Sequence, residues 1–306
     1  MGRLSVHILI LNYNGADLLE RFLPAFRIAI KKTSHPCRVS VVDNLSTDRS
    51  GQVVAQYNDV GWISARENRV LCSYNEVARN LSDDILILVN NDIEPDSEFI
   101  DPLVAPFRDD PELFMTSPGF YDSEGRLECG RSTGGVRAGL FWSKAVEGPE
   151  SRMAGLTFSS GMGAFKRSKF LELGGYDDLY LPGTLEDTDL CFRAWKRGWK
   201  SLYVPESRLA HLGQVSFKKR FGKWGIKTLN ARNLFLFQWK NIREERFMFE
   251  HALLLVPRLL AACLTGHAEL LVGFLRALPL AVKALARGSR GTLSDSQIFS
   301  LFTNRP

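Results

Sequence analysis

Ile85-Leu86-Ile87-Leu88-Val89-Asn90-Asn91-Asp92 is the stretch on which the reading of this chain turns. Five apolar residues give way to three polar ones, the last a carboxylate. A short unbroken apolar run predicts a strand buried on both faces, as in a parallel sheet. Polar groups at the carboxyl end of such a strand point into the crevice where open α/β sheets bind ligands. Asp92 beside Asn carbonyl oxygens is hard-oxygen chemistry, suited to Mg²⁺ or Mn²⁺ and, through the ion, to phosphates. The plain alternative is a strand followed by an Asp-Ile-Glu-Pro turn.

Working outward, residues 6–11 read as a first buried strand that ends at Asn12-Tyr13-Asn14-Gly15. Residues 16–32 carry helical spacing, with Pro24 predicting a kink or an early stop. Residues 39–42 form a second strand ending at Asp43-Asn44, and residues 46–50 offer helix caps. A brief strand at 62–64 and a helix at 75–80 precede the strand at 85–89. This alternation predicts a doubly wound, mostly parallel α/β sheet flanked by helices. Asp43 and Asp92 would then share one sheet edge. Residues 115–163, rich in Gly and Ser, read as loops and short strands. A helix over 165–173 closes at Gly174-Gly175, a helix follows over 187–197, and a strand over 199–204. The acids Glu186, Asp187 and Asp189 stand where a loop enters a helix, which the helix dipole favours and where a general base can be held.

With 306 residues, 45% of them hydrophobic, the chain can bury a large α/β core and is not globally disordered. Cys37, Cys72, Cys129, Cys191 and Cys263 are odd in number and form no Cys-x-x-Cys pair, which argues against a disulfide framework or zinc site and fits a reducing compartment. The first apolar run is too short for a signal peptide. The net charge of +5 is uneven: nine Lys or Arg lie between Lys218 and Arg246, against Glu244 and Glu245 alone. Aromatic residues interleave with them, and residues 247–286 are nearly all apolar. No window of about eighteen residues there is free of charge, so a standard membrane span is not expected. Pro257 and Pro279 are expected to divide the segment into short helices. A basic, aromatic collar ahead of apolar helices predicts a monotopic element on an anionic membrane surface. A homodimer interface, or helices packed on the main domain, are the alternatives. The expected domains are therefore 1–215 and 216–306, with residues 287–306 loosely ordered. No nucleic-acid-binding motif is found.

Five motifs in order resemble those of the inverting GT-A-fold nucleotide-sugar glycosyltransferases of family two, in the rhamnosyltransferase-like branch. They are VHILILNYNG at 6–15, VVDNLSTDRS at 41–50, LVNNDIEP at 88–95, the Gly-Gly-Tyr-Asp-Asp ending of 161–178, and EDTDLCFR at 186–193. The resemblance covers about residues 4–215. It implies that Asn12 and Tyr13 border the nucleotide base, that Asp43 bonds the base or ribose, and that Asn68, Asn75 and Asn91 lie on the donor side. Asp177 would lie on the acceptor side. Asp92, with His211, would hold Mg²⁺ or Mn²⁺ against the donor diphosphate. Asp187 would be the base that deprotonates the acceptor hydroxyl, with Glu186 the second candidate.

The resemblance thus implies a metal-dependent, inverting sugar transfer, with rhamnose one candidate sugar. The donor is a dTDP- or UDP-linked sugar, and the acceptor a glycan or a polyprenyl-diphosphate-linked glycan. The work would be done peripherally on the cytoplasmic face of the inner or plasma membrane. A metal-dependent phosphohydrolase, or a non-enzymatic binder of anionic lipid or nucleic acid, is the alternative. Three departures stand out. Asn90 replaces a metal-motif Asp, Val70 stands where relatives carry Gly, and Arg49 replaces a Gly in a position from which it could reach a phosphate.

Overall fold

Strands β1 (Val6–Asn12), β2 (Cys37–Asp43), β3 (Val60–Ser64) and β4 (Ile85–Asn90) lie side by side and parallel, in the order β4-β1-β2-β3. The structure, a computed structural model, describes residues 2–211, 215–288 and 291–303. The side chains of residues 215–220 and 303 fall outside it, and with them Phe217, Lys218, Lys219 and Arg220 of the basic stretch. Ile85, Leu86, Ile87, Leu88 and Val89 are each at most 1% exposed, so both faces of β4 are covered, as an unbroken apolar run requires. Register then aligns the strand ends, because Asn12 pairs with Asp43 and Leu11 with Asn90. The polar residues after each apolar run reach the same edge.

Helix α1 (Ala16–Lys32) continues through Pro24, so the early stop allowed for there does not occur. A proline in a helix interior costs about 3 kcal/mol. Leu19, Phe22, Leu23, Phe26 and Ala29 are all buried, and each large apolar side chain contributes about 1.5–3 kcal/mol, so packing outweighs the proline. Helices α2 (Ser50–Val54), α3 (Ser73–Arg79), α4 (Ile100–Val104) and α5 (Arg167–Glu172) complete the helical cover.

The remaining strands enlarge the sheet. They are β5 (Ile93–Pro95), β6 (Leu113–Tyr121), β7 (Leu127–Cys129), the separate hairpin of β8 (Ser132–Arg137) and β9 (Leu140–Ala145), then β10 (Gly155–Leu156), β11 (Gly163–Lys166) and β12 (Lys200–His211). The main sheet runs β10-β12-β6-β11-β4-β1-β2-β3, with β11 antiparallel to β4 and β6. The segment read as loops and short strands therefore contributes most of the nine-residue β6, longer than a short strand. Strand β12 runs seven residues past its expected end at 204 and pairs with β5, setting His211 opposite Ile93.

The chain forms two compact units, one of residues 1–132, 145–176 and 199–213, the other of residues 133–144, 177–198 and 214–306. The main sheet belongs to the first. The division differs from a boundary at 215, because residues 177–198 group with the C-terminal helices.

The second unit holds α6 (Glu186–Lys196), α7 (Val215–Asn241, broken at Gly222 with φ +62°), α8 (Glu245–Leu264), α9 (Ala268–Ala277), α10 (Ala281–Ala286) and α11 (Asp295–Thr303). Much of the expected collar is core here: Phe235 and Phe237 are fully buried, Trp239 is buried, and so is Lys240. Pro257 lies inside the unbroken α8, while Pro279 sits in a 3₁₀ turn between α9 and α10. Being 20 residues long with a mean hydropathy of 1.6, α8 is long and apolar enough, by length and composition, to cross a membrane. Residues 295–303 are helical rather than loose. Ile298 is fully buried, and Phe299 packs against Phe192 and Phe247. Asp295 pairs with Lys196 and accepts from the backbone N–H groups of Arg243 and Glu244.

Candidate active site

At the edge of the first unit the polar side chains are bonded mainly to one another. Asp43 accepts from the backbone N–H of Ser46 at 2.9 Å, from the Ser46 hydroxyl, and from Nδ2 of Asn12 at 3.1 Å. Oδ1 of Asn12 accepts from Nδ2 of Asn91 at 2.7 Å. A Cβ at Gly15 would sit 2.0 Å from Nδ2 of Asn91, so only glycine lets α1 start this close to the pair. Asn12, Asp43 and Asn91 are thus brought together, and Tyr13 is half-exposed beside them.

Other expected residues are spent on the scaffold. Asn75 clamps the backbone of Tyr176, donating to its C=O and accepting from its N–H, both at 2.8 Å. Exposed Asn68 accepts from the N–H of Val70 at 3.3 Å. Val70 has φ +52°, a left-handed conformation that costs a β-branched residue on the order of 1–2 kcal/mol. Asn75 also lines a cavity of about 450 Å³ together with Arg66, Arg69 and Arg79. Arg49 does not reach outward for a phosphate. It pairs with Asp17 and Glu20 of α1 at 2.7 and 2.8 Å.

Asp92 and His211 do meet, through the antiparallel pairing of β5 and β12. His211 Nε2 lies 3.3 Å from Oδ2 of Asp92, and Nδ1 lies 3.4 Å from Oε2 of Glu128. The hydrogen bond to Asp92 raises the proton affinity of His211 above its ordinary value, against the effect of burial. Oδ1 of Asp92 is buried with no hydrogen-bond partner among the described residues. An orphaned carboxylate oxygen beside an imidazole fits a divalent cation. Among the described residues no group of three or more His, Cys, Asp or Glu could hold one. Asp92 and His211 are the two side chains here that could hold one, and Mg²⁺ on phosphate substrates usually takes its other ligands from phosphate and water oxygens.

The acids of the second unit are held differently. Thr184 (φ +74°) and Leu185 (φ +63°) take left-handed conformations just before α6, a strain of order 1–3 kcal/mol each that gathers at functional sites. Glu186 is 9% exposed, and its Oε2 has no partner among the described residues. Oδ1 of Asp187 accepts from the N–H of Thr188 at 2.8 Å. Burial raises the proton affinity of both acids, and in Glu186 the neighbouring Asp187 charge adds to it.

Two residues on, Asp189 is fully buried yet ionised. Burial opposes its charge, but Lys240 and Arg193 hold its proton affinity well below the carboxylate range. It accepts from Lys240 at 2.7 Å, Arg193 at 2.7 Å, Asn241 at 2.8 Å and the Tyr180 hydroxyl at 2.9 Å. Asp177, expected on the acceptor side, is bound to Lys240 at 2.7 Å and to Arg287, and caps the N–H of Leu179. It is taken up by this network. Sequence reasoning missed Lys240, Asn241 and the role of Asp189. Asp189 could have been found from its place in the acidic cluster. Lys240 carries no local signal, lying 51 residues from Asp189 inside a stretch that reads as a basic, aromatic collar for a membrane surface.

The family model described as glycosyl transferase family 2 matches residues 7–171, more than half of the chain. The chain belongs to this family. This glycosyltransferase is 28% identical over 235 residues to the N-acetylglucosaminyl-diphospho-decaprenol L-rhamnosyltransferase of Mycobacterium tuberculosis, covering 67% of the chain and 75% of the relative. In fold it resembles GalNAc-T7 solved with UDP, GalNAc and Mn²⁺, with a TM-score of 0.56 and 18% identity over 76% of this chain and 51% of the other. It also resembles the mannosyltransferase PcManGT of Pyrobaculum calidifontis, solved with GDP-Man and Mn²⁺, with a TM-score of 0.52 and 17% identity over 98% and 79%. The sheet of the glycosyltransferase is thus the GT-A type expected. Membership of this family of transferases sets aside the phosphohydrolase and non-enzymatic readings.

Proposed function

We propose that this glycosyltransferase moves a sugar, with inversion, from a nucleoside-diphosphate donor to a hydroxyl of a lipid-diphosphate-linked glycan. dTDP-rhamnose is the first donor to test, because the M. tuberculosis relative is a rhamnosyltransferase acting on a diphospho-decaprenol substrate. The observation that carries the chemical reading is the Glu186–Asp187 pair at the start of α6, buried at Glu186 and half-buried at Asp187, whose raised proton affinity makes it a stronger base than an ordinary carboxylate. Asp187 takes the proton of the acceptor hydroxyl as that oxygen bonds to the anomeric carbon and the bond to the nucleoside diphosphate breaks. Glu186, whose proton affinity is also raised, orients the acceptor. Asn12, Asp43 and Asn91 form a rigid edge for the nucleoside, with Tyr13 against the base. Asp92 and His211 would hold Mg²⁺ or Mn²⁺. When bound, the ion neutralises charge on the leaving diphosphate as a Lewis acid.

The test is incubation with dTDP-rhamnose or UDP-sugars, Mn²⁺ and an N-acetylglucosaminyl-diphospho-polyprenol, with products read by mass spectrometry and anomeric configuration by NMR. Acceptor-dependent transfer with inversion is expected. Hydrolysis of the donor with no glycosylated lipid, for every donor tried, would overturn the reading.

A location on the cytoplasmic membrane surface is part of the proposal. Phe249, Leu253, Val256, Leu260 and Leu264 are 61–88% exposed and recur at helical spacing along one side of α8. The other side holds buried His251 and Leu259, and Arg258 donates to the C=O of Ala138 in the β8–β9 turn. A helix tied to protein along one side and apolar on the other suits the interface plane. The five cysteines are free thiols, which fits a reducing compartment.

A further inference from the structure

The loop ahead of the acidic pair is held by two adjacent residues of α7. Asn233 is fully buried, and its Nδ2 lies 3.1 Å from the C=O of Tyr180, 2.7 Å from that of Gly183, 2.8 Å from that of Thr184 and 3.0 Å from the Thr184 hydroxyl. Arg232 donates through NH2 to the C=O of Leu181 at 2.6 Å, and through Nε to Oδ1 of Asn233 at 2.9 Å. Carbonyls from four of five consecutive residues thus turn toward one side-chain pair. The path they trace ends in the left-handed Thr184 and Leu185, and the C=O of Leu185 accepts the N–H of Asp189 at 2.8 Å as α6 begins. Neither Arg232 nor Asn233 bonds to Glu186 or Asp187. Their grip ends where α6 starts.

We infer that Arg232 and Asn233 are positioning residues, which hold residues 180–185 in the strained path that presents Glu186 and Asp187. The inference rests on the reading of that acidic pair as the catalytic carboxylates. Chemistry selects the amide. Asn233 needs donors for the loop carbonyls and an acceptor for Arg232, which one carboxamide supplies and neither a carboxylate nor an alkyl group can. Without the clamp, a left-handed Thr-Leu pair returns to ordinary φ, and the first turn of α6 moves with it. Water reaching the loop would also solvate the two acids and bring their proton affinities back toward ordinary carboxylates.

The test compares Asn233→Leu, which keeps the branched heavy-atom count and removes the amide, with Phe235→Leu. Phe235 is a core residue of the same helix that packs on Trp239 and Phe274. For Asn233→Leu, kcat should fall about 10- to 100-fold, the scale of a small misplacement of catalytic groups. KM for the nucleotide sugar should stay within about twofold, and the acid limb of the kcat–pH profile should move to lower pH. Hydrogen exchange across residues 178–190 should speed up while residues 85–92 keep their protection. Leu185→Gly, for which φ +63° carries no penalty, should restore part of the lost kcat when added to Asn233→Leu. Arg232→Met gives a milder version should Asn233→Leu not fold.

The inference is overturned if exchange over 178–190 is unchanged with kcat within twofold of the parent. It is overturned equally if kcat falls only with the folded fraction, as in Phe235→Leu. Failure of the underlying reading looks different: Asp187→Asn would keep its activity whatever the exchange data say.

Discussion

Asp43 at the sheet edge of the first unit and Glu186 at the start of α6 in the second are both buried carboxylates, and their surroundings treat them in opposite ways. Asp43 accepts three short hydrogen bonds from Ser46 and Asn12, so its shape is fixed and its lone pairs are largely committed. Glu186 is nearly as buried but leaves one oxygen unpartnered, and its proton affinity rises. Within α6 the contrast repeats over two residues, where Asp189 gathers two cations and stays ionised while Asp187 is made more basic. Bonded carboxylates make a template, and under-bonded ones keep reactivity. An unsatisfied buried acid costs stability, and proteins retain that cost where chemistry needs it.

The strongest way to break this comparison is Asp187→Asn. Transfer should fall by about two orders of magnitude or more, the size of general-base effects. Nucleotide binding by calorimetry should stay within about twofold, and more than about a tenth of the activity surviving would remove Asp187 as base. Asp189→Ala should instead act on stability. It leaves Lys240 buried with less counter-charge, a loss of about 3–5 kcal/mol in chemical denaturation. Because the Asp189 proton affinity is depressed on folding, its contribution is present above the ordinary Asp range and lost as pH falls. Parent and variant should therefore converge in stability toward strongly acid pH.

Glu186→Gln tests the opposite sign. Folding raises the Glu186 proton affinity, so the ionised acid costs stability as pH rises above the unfolded value. The amide should leave the melting temperature unchanged or raise it at neutral pH. With parent enzyme, kcat should climb with pH on an acid limb lying above the ordinary carboxylate range. Smallest of all, Val70→Gly should stabilise by about 1 kcal/mol if relief of the left-handed valine exceeds the entropy of glycine.

The sheet was legible because its strands are local apolar runs, as in residues 85–89, each followed by polar residues at one edge. Asn12, Asp43 and Asn91 were readable for the same reason. What escaped is long-range. His211 reaches Asp92 only because β12 runs on to pair with β5, and Lys240 is a base in the core rather than on a surface. Pro24 and Pro257 were over-read, since a proline's local cost is outweighed by the packing of a whole helix. Residues 295–303 looked loose because their partners Lys196 and Phe192 lie about a hundred residues earlier in the chain.

The Lys196–Asp295 pair has a consequence in time. The two residues are 99 positions apart, and a ribosome adding about 5–20 residues per second makes the second about 5–20 s after the first. Through that interval the last turn of α6 carries a lysine built to be buried with no acid to meet it, and α8 lacks the carboxylate that receives the N–H groups of Arg243 and Glu244. The helix bearing the acidic pair therefore cannot settle until about a hundred further residues have been made. A nascent chain stalled before residue 295 would carry the complete polar edge of the first unit and an acidic pair whose helix still lacks its last support.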